Sequence, residues 1–404
     1  MTSRKIKFMH IADTHNGYSG NASLHNEFSE LKINKYTETG ENIRTADINK
    51  AFAQAIDIAL EEEVDFVIHA GDGMNEVGYK NPAHYNFYMD QVERFSSTGR
   101  TWLEIAGNHN FSKKAGVGNE LFKLGKMQNV IAVFKGLYEQ RCIPGINDLI
   151  CHCLPSSYDT STFKSELEKV KKVDGKINVL VTHCGVATIP QYAKNESSIV
   201  VHLDDLISKE MDYVALGDYH IYTDLGHNII YPGPIEHLAF GQEKKPRVVI
   251  VEIDLDTKEL TKRDRFLDVR PMIDMKEINA EGMLIEDIQE QIIQRFQSEK
   301  LEDAIVRLVI KNLPKNLKHR HLFLTDEIRR EIDRCLYFKF DFKNKVELSE
   351  SVKTKDTDNE VFEGLQEGLS NFIDQIPDDP NFPKRELLTF AMPYLTEVLE
   401  NADN

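Results

Sequence analysis

Five short apolar runs in the first part of the chain each stop at a carboxylate, an amide or an imidazole, and this constrains the fold more than any other feature. "HIADTH" ends on Asp13 and His15, "VIHAGD" on Asp72, "IAGNH" on Asn108 and His109, "VLVTH" on His183, and "VALGDYH" on Asp218 and His220. The β-branched residues of these runs favour extended chain. Runs that are apolar on both faces belong in a sheet covered on both sides. Open α/β sheets gather ligands outside the carboxyl ends of their strands. Residues as distant in sequence as Asp13 and His220 can therefore meet at one rim.

The residue types suit a metal site. Carboxylates offer hard oxygen ligands and neutralise divalent charge, while imidazoles suit Mn, Fe, Ni or Zn. If Asp13–Thr14–His15 is extended, alternation sends both outer side chains to one side, where a single ion can take both. Asp218–Tyr219–His220 repeats that spacing. Two ions about 3.5–4 Å apart need a bridging ligand, for which Asp72 is the candidate; such a pair activates water and clamps a phosphoryl group. One Asp-x-His alone means little, but ordered repetition at five strand ends does not arise easily by chance. His69 and His152 lie inside apolar runs and read as packed or hydrogen-bonded histidines.

Around these runs, Ile6 to about Asp254 alternates short apolar segments with helical patterns. In "DINKAFAQAIDIALEEE", Phe52, Ala55, Ile56 and Ala59 fall at helical spacing. Late strand candidates such as "NIIYPG" and "RVVIVEID" follow one another with too little chain for crossover helices, so mixed sheets fit better than one parallel sheet. The polar stretch Gly17–Asp47 reads as a loop beside the site. A large α/β domain is expected over 1–267 and a small α+β domain over 268–345. In the latter, Leu284, Ile288, Ile292 and Phe296 mark a helix face and "AIVRLVIKNLP" and "CLYFKFDFK" supply strands. Residues 346–404 read as a charged linker followed by a partner-binding segment, with Leu387, Leu388, Phe390, Ala391 and Leu395 as its apolar side.

The net charge of -17 argues against unspecific nucleic-acid binding over the whole surface. It leaves room for a nuclease, because bound divalent ions invert the local charge of a carboxylate-lined site. No run approaches the roughly 18–20 apolar residues that cross a bilayer, and the N-terminus lacks a secretion pattern. Five cysteines without a CxxC pair suggest buried free thiols in a reducing cytoplasm.

The set "DTH…GD…GNH…TH…GDYH" resembles the calcineurin-type metallophosphoesterase superfamily. "HIADTHNGY", "YPGPIEHLAFGQE" and "VRPMID" are similar to the DNA-repair exonuclease subunit of SbcC–SbcD-type complexes. The resemblance implies a four-layer α/β sandwich of mixed sheets with a small α+β capping domain. It implies that Asp13, His15, Asp72 and His220 hold one ion and that Asp72, Asn108, His183 and Asp218 hold another. Manganese is the expected metal, with magnesium as the alternative. His109 is implied as a catalytic non-ligand, and imidazole titrates in the range that general acid work requires.

Two departures matter chemically. Asn110 stands where the family commonly has an Asp that orients the histidine, and Asp218 stands where the family usually reads GHxH. "GDGMNE" also lacks the family's usual Leu-Phe-His continuation. The resemblance further implies 3′→5′ exonuclease activity on duplex DNA ends, endonuclease activity on single strands, a homodimer, and a coiled-coil ABC-type ATPase partner (SbcC-like) bound through the C-terminal region, near 386–400. Lys113, Lys114 and "KHR" at 318–320 are candidate phosphate contacts. The alternatives are a small-nucleotide phosphodiesterase or phosphatase, and a catalytically weakened scaffold subunit of an ATPase complex.

Overall fold

In the computed structural model of the chain, the described residues are 4–19, 33–75, 81–110, 119–192, 199–242, 244–313 and 324–343. Lys113, Lys114, the basic triplet at 318–320 and the segment 346–404 lie outside them.

The first stretch contributes β1 (Lys5–Ile11), β2 (Phe66–His69), β3 (Thr101–Ile105) and β4 (Val130–Val133). Helices α1 (Ile43–Glu61) and α2 (Pro82–Ser96) form the first two crossovers, and the single turn α3 (Leu121–Leu124) precedes β4. Next come β5 (Glu139–Ile143), β6 (Ile146–Leu154) and β7 (Ile177–His183). The short pair β8 (Gly185–Val186) and β9 (Val200–Val201) leads to β10 (Tyr213–Gly217), β11 (Thr223–Asp224) and β12 (Ile229–Tyr231). Helices α4 (Thr160–Glu168) and α5 (Leu203–Ile207) lie in this part, and β13 (Arg247–Asp254) and β14 (Leu260–Phe266) follow it.

These strands form two six-stranded sheets, ordered β14-β13-β1-β2-β3-β4 and β11-β12-β10-β7-β6-β5. In the first, β1 to β4 run parallel while β13 and β14 add antiparallel. In the second, β6, β7, β10 and β12 run parallel, with β5 and β11 antiparallel at the edges. Both sheets are mixed, as the crowding of late strands requires.

Side-chain alternation builds the layers. On β1, Phe8 enters the core between the sheets with Phe66, Leu103, Val179 and Tyr213, while Met9 and Ile11 turn to Phe52 and Ile56 of α1. On the far side, Leu180 and Leu216 pack with Phe163 of α4 and Leu206 of α5. The result is helix, sheet, sheet, helix. Helix α1 begins earlier than its apolar spacing marks, because the Asn42 side chain accepts from the Arg44 backbone N–H and caps it.

A third sheet follows. Strands β15 (Met272–Asn279), β16 (Ile305–Lys311) and β17 (Tyr337–Lys343) run parallel, with α6 (Ile285–Gln297) and α7 (Asp326–Asp333) between them. Helices and strands alternate here rather than segregating. Ile288, Ile292 and Phe296 reach its core as spaced, but Leu284 sits at the helix N-cap and is 68% exposed. Arg270 grips the Asp47 carboxylate of α1 through two hydrogen bonds of 2.8 and 2.9 Å, and buried Arg44 holds the same group at 2.7 Å. This part-buried pair ties the third sheet to the helix that covers the first. Among the described residues, no helix is long and apolar enough to cross a membrane.

Candidate metal centre

The two loops that leave β1 and β2 are joined by backbone hydrogen bonds. Asp13 N donates to Gly71 O at 3.0 Å, His15 N to Asp72 O at 3.0 Å, and Asn16 N to Gly73 O at 2.9 Å. Asp13, His15 and Asp72 take φ of 53°, 46° and 56°, and Asp218 takes 101°. The extended alternation expected for Asp13–Thr14–His15 is therefore corrected: left-handed turns, held by this ladder, aim both side chains inward. Such residues cost about 1–3 kcal/mol each and persist where surroundings over-determine them. Gly107 and Gly217 are required by close approach. A Cβ on Gly107 would lie 2.1 Å from Asp72 Oδ1, and one on Gly217 would lie 2.2 Å from Ala70 O.

The ends of both sheets converge. Asp13, His15 and His220 can offer ligand atoms to one ion, as can Asp13, Asp72 and His183, with the atoms of each group within 4.8 Å of one another. His15 Nε2 lies 3.2 Å from His220 Nε2 and 3.9 Å from Asp72 Oδ2, while His220 Nε2 is 3.8 Å from Asp13 Oδ1. His183 Nε2 faces Asn108 Oδ1 at 2.9 Å, Asp72 Oδ2 at 3.3 Å and Asp218 Oδ1 at 3.6 Å. Its Nδ1 sits 2.8 Å from Ala70 O, a carbonyl that can only accept. Neutral His183 therefore carries its proton on Nδ1 and turns a lone pair toward three oxygen acceptors. Lone pairs from nitrogen and oxygen meeting in a buried space fit a cation.

The electrostatics agree. Burial alone would lower the His183 pKa, yet the carboxylates of Asp72, Asp13 and Asp218 raise it to about 10. Burial pushes Asp13 well above the usual carboxylate range, with Asp72 and Asp218 adding to the rise. Burial also holds His15 well below its ordinary value and His220 at about 3. In a cation-free cluster, protonated His183 is the positive charge that answers the acids. A divalent cation can take that role.

His109 stands at the edge of the cluster, its ring 4.7 Å from that of His15 in an edge-to-face arrangement. Its backbone N–H donates to Asp72 Oδ1 at 2.9 Å, and its Nδ1 lies 2.7 Å from Asn75 O. The orienting partner is thus a backbone carbonyl, which no residue type in the sequence announces. Asn110 does not fill the orienting place. Its Oδ1 accepts from Gly107 N at 2.9 Å and its Nδ2 donates to Glu120 Oε1 at 2.5 Å, so both polar atoms are engaged away from His109. Burial raises Glu120 to about 7, against the lowering effect of the Asn110 bond.

Further polar groups are buried in the strands and engaged there. His69, as expected, is buried and bonded, its Nε2 3.0 Å from Thr14 Oγ1. His152 bonds Tyr138 and Asn178. Glu104 is fully buried, accepts from Tyr88 Oη at 2.7 Å and Trp102 Nε1 at 2.8 Å, and is raised to about 8 by burial. Four cysteines are buried free thiols, but Cys142 is exposed, since it lies on the edge strand β5.

The calcineurin-like phosphoesterase family matches residues 6–222, more than half of the chain and the whole span from Asp13 to His220. The chain belongs to the calcineurin-like phosphoesterase family. Members of this family use divalent metals, and the residue groups able to hold them are the two described above and a third of His15, Asp72 and His109.

Among relatives within the family, the chain is 27% identical over 310 residues to a Methanosarcina acetivorans protein named DNA double-strand break repair protein Mre11, which covers 72% of this chain and 45% of that one. A Sulfurisphaera tokodaii protein of the same name is 24% identical over 335 residues, covering 79% and 77%. The chain thus spans under half the length of the first relative and about three quarters of the second. A solved dimetal phosphatase from Danio rerio aligns at 9% identity with a TM-score of 0.35, over 65% of this chain and 96% of that one.

Proposed function

We propose that this calcineurin-like phosphoesterase is a divalent-cation-dependent phosphodiesterase that cleaves DNA in end processing. One observation carries the reading: His183 Nε2 faces three oxygen acceptors within 3.6 Å, beside a second group from Asp13, His15 and His220. Asp13, His15, Asp72 and His220 would hold one ion; Asp72, Asn108, His183 and Asp218 would hold the second. The ions would supply Lewis-acid polarisation of a phosphoryl oxygen and a more acidic water.

The chain's own residues do the rest. The Ala70 carbonyl sets the His183 tautomer, and the zipped loops fix Asp13, His15 and Asp72 before substrate arrives. The Asn75 carbonyl orients His109 so that Nε2 faces the cluster, where it can meet the phosphate or protonate the leaving oxygen. The names of the relatives support DNA as substrate. Manganese as the ion, 3′→5′ exonuclease action on duplex ends and endonuclease action on single strands belong to the same proposal. So do a homodimer, the domain limits at 267 and 345, and a coiled-coil ABC-type ATPase bound through 346–404.

The test is hydrolysis by the full chain, with Mn²⁺ or Mg²⁺, of linear duplex DNA, single strands and a generic bis-phosphodiester. His109→Ala is expected to lower turnover about 10²–10⁴-fold while calorimetric cation binding persists. Full nuclease activity in that variant refutes the role of His109. Strong bis-ester hydrolysis without DNA cleavage would move the assignment to a small-nucleotide phosphodiesterase.

A further inference from the structure

A shallow cleft open to solvent, with room for about one water (about 10 Å³), adjoins the metal centre, and His220 forms part of its wall. Pro232, Pro234 and His237 line it, and Lys244 and Lys245 stand at its mouth. It is far smaller than the roughly 300–1,000 Å³ of drug-sized ligand sites, so it offers a surface for a strand to lie across and encloses no nucleotide.

Hydrogen bonds and one close backbone approach hold the walls. The buried Arg44 guanidinium donates to the His237 carbonyl. Gln242 Oε1 accepts from Leu238 N at 2.7 Å and from Ala239 N at 3.3 Å. Gly233 takes φ of 71°, and a Cβ there would lie 2.8 Å from Tyr222 N. These contacts leave the wall a fixed surface.

The mouth is cationic in a chain whose net charge is -17. Lys244 and Lys245 are exposed, and neither forms an ion pair among the described residues. Lys244 Nζ donates to Tyr222 O at 2.8 Å, and both residues line the cleft. Outward from it, the Arg247 guanidinium lies 4.2 Å from the Tyr222 ring and 4.8 Å from the Phe266 ring, with Asp264 bonded to its edge at 2.6 Å. Phe266 is 53% exposed and Lys245 lies 5.8 Å from its ring. Exposed cations beside an aromatic face are the elements with which proteins hold single-stranded nucleic acid.

We infer that this cleft and ledge are the subsite for the nucleotide next to the scissile phosphate. Its sugar–phosphate lies across the cleft beside His220, the next phosphate along the strand meets Lys244 and Lys245, and a base stacks on Phe266. The inference rests on the nuclease reading above and names the part of the substrate that the centre itself does not touch.

The test is equilibrium binding of a labelled single-stranded oligonucleotide to the full chain in Ca²⁺ over a range of salt. In Lys244→Ala/Lys245→Ala the plot of log affinity against log salt should flatten by about 1.4, two phosphate contacts at ~0.7 each. Lys244→Arg/Lys245→Arg should keep the parent slope. Phe266→Ala should weaken binding about tenfold at unchanged slope. Parent-like slope and affinity in the alanine variants, with the parent binding and cutting DNA, overturn the subsite and leave the nuclease standing. A parent that hydrolyses the bis-ester but neither binds nor cuts any nucleic acid overturns both.

Discussion

Replacing Asn110 by Asp would restore the acid that the family commonly carries, and the structure sets the consequence. The Asn110 Nδ2 donor, 2.5 Å from Glu120 Oε1, would give way to a second carboxylate oxygen. Glu120 is already at about 7, raised from 4.5 chiefly by burial. The folded chain therefore holds that proton more tightly than the unfolded one. Stability falls as pH rises from about 4.5 to about 7, by roughly 3 kcal/mol at most in the parent. Losing a hydrogen bond to a charged partner costs about 1.5–3 kcal/mol. Above pH 7 the new like-charge contact adds to this, while below it a shared proton rebuilds the bond. Asn110→Asp should be less stable than the parent by about 2–4 kcal/mol at pH 8, and by under about 1 kcal/mol at pH 5.5. The assay is urea unfolding followed by Trp102, the one tryptophan, which packs on the first sheet's helix face. Asn110→Asp/Glu120→Gln, with donor and acceptor exchanged, should recover the loss. Equal stability at both pH values, together with faster turnover that depends on His109, would show that Asn110 acts on the histidine and that this reasoning is wrong.

Glu104→Gln should remove a separate loss of stability between about pH 4.5 and 8, because burial raises the parent carboxyl to about 8; a melting-temperature profile that keeps the parent slope would contradict this. Gly107→Ala should displace Asp72, whose Oδ1 would lie 2.1 Å from the new Cβ, and weaken cation binding by about 10–100-fold; calorimetry with unchanged affinity would refute the close approach. Binding of Mn²⁺ at pH 8 should release at least one proton per chain, because His183, at about 10 without a cation, must be neutral to ligate, and Asp13, raised by burial, must be ionised. Binding heats that do not change with the buffer's ionisation enthalpy would count against that.

Much of the site was legible because its groups follow apolar runs directly. A residue just past a buried strand must emerge at the strand's end, so Asp72 and His183 could be placed from local context alone. What stayed hidden depends on long-range geometry or on backbone atoms. The left-handed turns at Asp13 and His15 exist because two loops bond to each other, and neither loop shows this alone. The Asn75 carbonyl that orients His109 has no side-chain signature. Asn110 is engaged by Glu120, ten positions on across a segment without apolar rhythm. The edge strand β14 reads "LTKRDRF" and escaped notice because its partner covers one side and its outward residues are charged. Leu284 fits its helix's apolar stripe in sequence, yet it lies one residue before the helix begins.

Asp13, His15, Asp72, Asn108 and His109 hang from the first sheet, and His183, Asp218 and His220 from the second. An ion at this rim would act as a clasp between two halves of the sandwich whose acids otherwise repel across the seam. Its grip and the closure of the seam reinforce each other: a hundredfold excess over the dissociation constant adds about 2.7 kcal/mol to the closed form. Starving the chain of metal would thus loosen the seam between the two sheets as well as silence its chemistry.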